Sequence, residues 1–237
     1  MSDTIYHQAD SRGRADHGWL LSRHTFSFAD YHDPERVRFG LLRVINDDIV
    51  KPSMGFGTHP HENMEIVSIP LSGSLRHQDS MGNRHIITAG EVQIMSAGSG
   101  LTHSEYNNSD SEEVNFLQIW VFPEQRDIAP RYGQKRFEAA DRRNRFQTLV
   151  APERNSDAIW INQQAWFSMA DLEAGSALSY VKRRPESGVY LFVIEGELTA
   201  NGHPLAKRDG LGLSGPEDIT LQAETAAEVL AIEVPLH

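Results

Sequence analysis

Two pairs of metal-competent side chains share one spacing in this sequence: His59 and His61, and His103 and Glu105. In extended backbone, residues i and i+2 project from the same face. The fixed φ of Pro60, between the first two histidines, is compatible with an extended chain. Two such pairs on neighbouring strands can bring three imidazoles and a carboxylate to one point inside a barrel. That donor set has nitrogen and oxygen but no sulfur. It suits one divalent transition metal ion, drawn from Fe, Ni, Cu, Co, Mn and Zn, without choosing among them. Four protein ligands around an octahedral ion leave two positions open, enough for a chelating substrate or for substrate plus O2. Nine of the 11 histidines precede residue 104, so an imidazole site belongs to the first half of the chain.

Positioning such groups requires strands, and the chain reads as short ones. Residues 65–71 carry Glu65, Val67, Ile69 and Leu71 on one face, and Ser72-Gly73 ends the run. Residues 75–78, 85–88, 91–95 and 115–122 continue the pattern, with a tight turn over 79–83. Short strands separated by turn signals predict an all-β sandwich or barrel. Helical periodicity is confined to a turn or two, around 165–172 and 223–227. Proline, Tyr132-Gly133 and mixed charge make 123–145 read as a connector. Beyond it the grammar repeats: 193–198, the Asn201-Gly202 turn, and 205–213 mirror 70–75, the Gly82-Asn83 turn and 89–95. This order predicts two copies of one β barrel.

Composition narrows the function. The net charge is −11, with a pI of 5.4, which lacks the basic footprint needed to bind nucleic acid or an anionic membrane. Cysteine is absent, which excludes disulfides, thiolate metal sites and cysteine nucleophiles. Apolar runs fall short of a membrane span, and residues 1–14 are polar without the apolar core of a signal peptide, so a cytoplasmic protein is expected.

The fuller strings carry a family resemblance. His59-Pro60-His61 with Glu65 beyond it, followed by Gly100, His103 and Asn107, resembles the two metal motifs of the cupin superfamily. HTFSFADYHDP at 24–34, GFGTHPHENMEIVS at 55–68, HQDSMGN at 77–83 and MSAGSGLTHSEYN at 95–107 are similar to the pirin family, most strongly over residues 15–125. The resemblance implies an all-β bicupin of two stacked double-stranded β-helix (jelly-roll) barrels. A metal-binding cupin would span residues 1–134, and a degenerate cupin without metal 135–237. It also implies metal ligation by His59, His61, His103 and Glu105, and cleavage of quercetin-like flavonols with O2, releasing CO, as a quercetin 2,3-dioxygenase. Glu105 would be the catalytic base, and the partners a flavonol and O2. The family's other known role, metal- or redox-responsive regulation through a protein partner, is the alternative. The resemblance and the surface composition point to a monomer.

This chain departs from the general cupin pattern at Ser53 and Gly98, where glycine and proline are usual. Glu65 occupies the usual cupin carboxylate position, whereas the pirin string uses Glu105, the ligand adopted here. Glu65 is then either an acceptor that orients an imidazole N–H or a polar group of its strand. His77, His85 and residues 24–28 read as strand and turn residues, and the four tryptophans as packing.

Overall fold

Alternating segments closed by glycine turns satisfy their backbone groups by pairing with one another. In the computed structural model, which describes residues 4–215 and 217–237, they form four sheets. A seven-stranded sheet in the first half runs in the order Arg131–Arg136, Glu91–Ser96, Glu65–Ser72, Val114–Val121, Leu42–Val50, Leu20–His24 and Gly13–Asp16. It faces a four-stranded sheet ordered Gly55–His61, Leu101–Asn107, Ser74–Asp79 and Arg84–Thr88.

The second half repeats this arrangement strand for strand. Its large sheet is Thr4–His7, Gly210–Ser214, Ser187–Glu195, Ala227–Pro235, Trp166–Leu172, Gln147–Ala151 and Ile159–Trp160. Its small sheet is Ala177–Val181, Asp218–Ala223, Leu198–Ala200 and His203–Leu205. The protein is an all-β bicupin. Among the described residues, no helix is long and apolar enough to cross a membrane.

Two expectations are corrected. The segment around 165–172 is the interior strand Trp166–Leu172, because pairing on both edges overrides its helix-forming alanines, methionine and leucine. The supposed connector carries the strand Arg131–Arg136, which closes one edge of the first large sheet. The corresponding edge of the second sheet is closed by Thr4–His7, from the other end of the chain. A strand from the first half therefore completes the second half's sheet, and a boundary at 134/135 cuts through a paired strand.

The two large sheets pack face to face. Val67, Ile69 and Ile119 from one meet Phe167, Phe192 and Ile232 from the other in a shared apolar core. An ion-paired tie accompanies it, with Asp47 of the first barrel 3.5 Å from Arg12 and 3.4 Å from Arg208 of the second. Central strands are thus buried on both faces: Glu65–Ser72 lays Val67 and Ile69 into the shared core and Ile66 into its own barrel.

Gly73 (φ 74) and Gly196 (φ 83) turn the chain at equivalent places, from the large sheet into the small one. A side chain at Gly73 would lie 2.9 Å from the Glu113 carbonyl oxygen, and one at Gly196 would overlap that of Ala226. Replacing either by alanine is expected to cost roughly 1–3 kcal/mol from the left-handed backbone alone. Gly196→Ala should lose more, because backbone cannot step aside. Chemical denaturation of both variants checks this order.

Candidate metal centre

The small sheet of the first barrel places the chemistry. Leu101–Asn107 lies between Gly55–His61 on one side and Ser74–Asp79 on the other, with His103 opposite His59 and Glu105 opposite His77. Strand alternation turns His103 and Glu105 into the barrel, where each is only 2% exposed. One apolar cluster (Leu75, Ile87, Phe116) closes one end of the barrel, and another (Ile66, Met95, Leu101) the other. A polar belt lies between them.

Three imidazoles converge there. Ring centroids of His59, His61 and His103 are 4.4–4.9 Å apart, and one nitrogen from each falls within 4.8 Å of the others. His59 donates its Nδ1–H to the Gly57 carbonyl at 2.7 Å, which leaves Nε2 as its free lone pair. Burial pushes His61 down to about 4 and His103 to about 3, helped by the neighbouring imidazoles. Both rings are therefore neutral at pH 7. Neither nitrogen of buried His103 has a hydrogen-bond partner. An orphaned imidazole in a dry interior is costly, and three converging imidazole nitrogens are what a transition metal ion takes up. The donor set fits a metal.

Glu105 reaches this cluster from its inner side. Its carboxylate accepts a hydrogen bond from Gln118 Nε2 at 2.8 Å and a longer one from Ser68 Oγ at 3.3 Å. With His103 and His77 it forms a second group, distinct from the His59–His61–His103 one, whose ligand atoms lie within 4.8 Å of one another. Glu65 does not join them. It shares the parity of Val67 and Ile69, so its carboxylate points into the seam between the barrels, where it accepts from Ser96 Oγ and the Asn162 backbone N–H. It is therefore not the acceptor for an imidazole, and the pleat of its strand is the reason.

Trp120, His77 and Asp79 stand out as neighbours to which sequence reasoning gave no role at the site. Trp120 packs edge-on against His61 at 5.0 Å. His77, fully buried, donates to Asp79 at 3.1 Å. Its signal was in the sequence, since His77 and Asp79 repeat the i, i+2 spacing of the other two pairs. His85 is exposed and stacks on Tyr132, and His24 packs against Phe28. Among the described residues, both metal-competent groups lie in the first barrel.

Comparison with known proteins agrees with this architecture. A two-barrel all-β fold with its metal-competent groups in the first barrel, among the described residues, defines a bicupin with a candidate metal centre there. The family model "Pirin" matches residues 6–121, and "Quercetinase C-terminal cupin domain" matches 148–234. The chain belongs to the pirin family. It is 41% identical over 232 residues to quercetin 2,3-dioxygenase of Escherichia coli K12, covering 96% of this chain and 97% of that protein. A pirin-like protein of Caulobacter vibrioides is 41% identical over 225 residues, 94% of this chain and 96% of its own. The crystal structure of the bacterial pirin YhhW from Escherichia coli in complex with nickel(II) superposes with a TM-score of 0.93 at 40% identity, covering 98% of this chain and 99% of that one.

The seam carboxylate makes a pH prediction. Burial raises Glu65 from 4.5 to about 7, with hydrogen bonds from Ser96 and Asn162 opposing the shift. The folded state therefore holds a proton that the unfolded state releases, and stability falls as pH rises from about 4.5 to about 7, then levels. Glu65→Gln removes that fall. Its stability relative to wild type should improve by on the order of 3 kcal/mol across the window, measured by denaturant unfolding at pH 5 and pH 8.

Proposed function

We propose that this protein is a metal-dependent dioxygenase that opens the heterocyclic ring of quercetin-like flavonols with O2 and releases CO. The observation that carries the reading is the convergence of His59, His61 and His103, the last with both nitrogens buried and unpartnered, beside the Glu105 carboxylate. The kinship with quercetin 2,3-dioxygenase over nearly the whole chain supports the same activity.

His59, His61, His103 and Glu105 would hold one divalent transition metal ion. When bound, the ion supplies a Lewis acid that lowers the pKa of a coordinated hydroxyl and an open position for the substrate's hydroxyl–carbonyl edge. A cavity of about 550 Å³, lined by Pro60, His61, Ser80, Ser99 and Leu101 among others, opens beside His61. Its size lies within the usual range for small-molecule sites. Glu105 accepts the flavonol hydroxyl proton as general base. Gln118 and Ser68 hold the carboxylate in place while it does so. Trp120 packs against the His61 ring and limits its rotation. Loss of the proton makes the flavonol ring electron-rich and open to oxidation. Both atoms of O2 enter the ring-opened product and one ring carbon leaves as CO, so no external reductant is consumed.

Incubating the metal-loaded protein with quercetin in air and following the flavonol absorbance tests this. Glu105→Gln should keep most of its metal and lose turnover by roughly 100-fold or more, whereas His61→Ala should lose both. Flavonol cleavage retained by a metal-free His59→Ala/His61→Ala protein would contradict the mechanism. An unchanged absorbance with Fe, Ni, Cu, Co and Mn each loaded would favour a metal- or redox-responsive binding role.

A further inference from the structure

His103 lies between two groups of side chains. On the neighbouring strand to one side are His59 and His61; on the strand to the other are His77 and Asp79. A neutral imidazole that gives one nitrogen to a metal carries its proton on the other. For His103, 2% exposed, that N–H would sit in a dry interior, and neither of its nitrogens now has a partner.

His77 carries the complementary defect. Its Nε2 lies 3.1 Å from the Asp79 carboxylate, an obligate acceptor, so the proton is on Nε2 and the lone pair on Nδ1. That Nδ1 is buried and unpartnered. Asp79 is itself fixed by the Met81 and Asn83 amides and the Asn83 side chain. The His77 and His103 rings are 5.3 Å apart between centroids, and a nitrogen of each lies within 4.8 Å of the other.

We propose that His77 is a positioning residue for the metal centre: held by Asp79, its Nδ1 accepts the proton-bearing nitrogen of His103 and fixes that ring's tautomer and orientation. One hydrogen bond thus resolves two buried unpaired atoms. The result extends the usual carboxylate–histidine–metal arrangement by one imidazole. Ring reorientation on coordination closes the remaining gap. The proposal rests on the metal-centre reading above.

The second barrel supplies an internal comparison. Counting from Gly73 and Gly196, Leu75 and His77 correspond to Leu198 and Ala200, and the strand pairings set Glu105 and His103 against Leu221 and Ile219. Where the metal-competent residues are replaced by apolar ones, the His77 position is apolar too. The His77–Asp79 pair therefore occurs with the imidazole cluster and is dispensable to the barrel itself.

The test uses cobalt(II)-loaded full-length protein, comparing wild type with His77→Phe, His77→Gln and Asp79→Asn. Proton NMR should show a paramagnetically shifted, slowly exchanging ring N–H from His103 in wild type. In His77→Phe this resonance should vanish into solvent exchange, with cobalt affinity by competitive titration falling 10–100-fold. His77→Gln, which keeps an acceptor, should restore part of both. If His77→Phe does not fold, Asp79→Asn should still give faster exchange and weaker binding. An unchanged resonance and affinity in the folded variants would overturn the proposal. So would two cobalt ions per wild-type chain falling to one without His77, which would make His77 a ligand. Wild type that binds no cobalt would remove the metal centre itself, and this relay with it.

Discussion

An imidazole with both nitrogens unpaired in a dry interior is the constraint around which the first barrel is arranged. His103 cannot lie there at ordinary cost unless something accepts its lone pair and something else its proton. Sheet order meets both demands, because Leu101–Asn107 is a middle strand with histidines on the strands at either side. The i, i+2 repeat then aims all of these groups at the same interior face. The exposed side of the cluster, toward His59 and His61, opens to the cavity, whereas the side toward Glu105 and His77 is sealed.

A barrel with a polar belt is poorly suited to hold itself together, and the second barrel offsets this. Its interior is largely apolar, with Tyr180, Ile219 and Leu221 at the places of His59, His103 and Glu105, and Leu191, Val193 and Val229 packed around them. The large sheets share a core with contributions from both halves, the first is closed by the connector strand Arg131–Arg136, and the second by Thr4–His7 from the other end of the chain. Among the described residues the metal-competent groups lie in one copy only, and the other barrel supports it through the shared core.

Much of this was legible in the sequence because strand parity is a local property. The paired spacings placed His59 with His61 and His103 with Glu105, and Gly and Asn-Gly turns marked the hairpins; Asn201 and Gly202 both adopt positive φ, as a two-residue hairpin requires. Glu65 was ambiguous for a physical reason. Its strand is buried on both faces, so alternation says which residues go together without saying which face meets the metal. The role of 131–136 as an edge strand depends on a partner forty residues away, which no local pattern records. The strand at Trp166–Leu172 is likewise set by its neighbours rather than by its own propensities. His77 was readable from its spacing to Asp79, but its relation to His103 needed the order of strands in the sheet.

The central claim is that three imidazoles from adjacent strands meet at one cation, and anomalous X-ray scattering from crystals of the nickel-loaded protein addresses it most directly. The account predicts a single strong peak about 2.0–2.2 Å from one nitrogen each of His59, His61 and His103, with Glu105 turned toward it. Strong density bound only by surface carboxylates, with the three rings left unliganded, would contradict it.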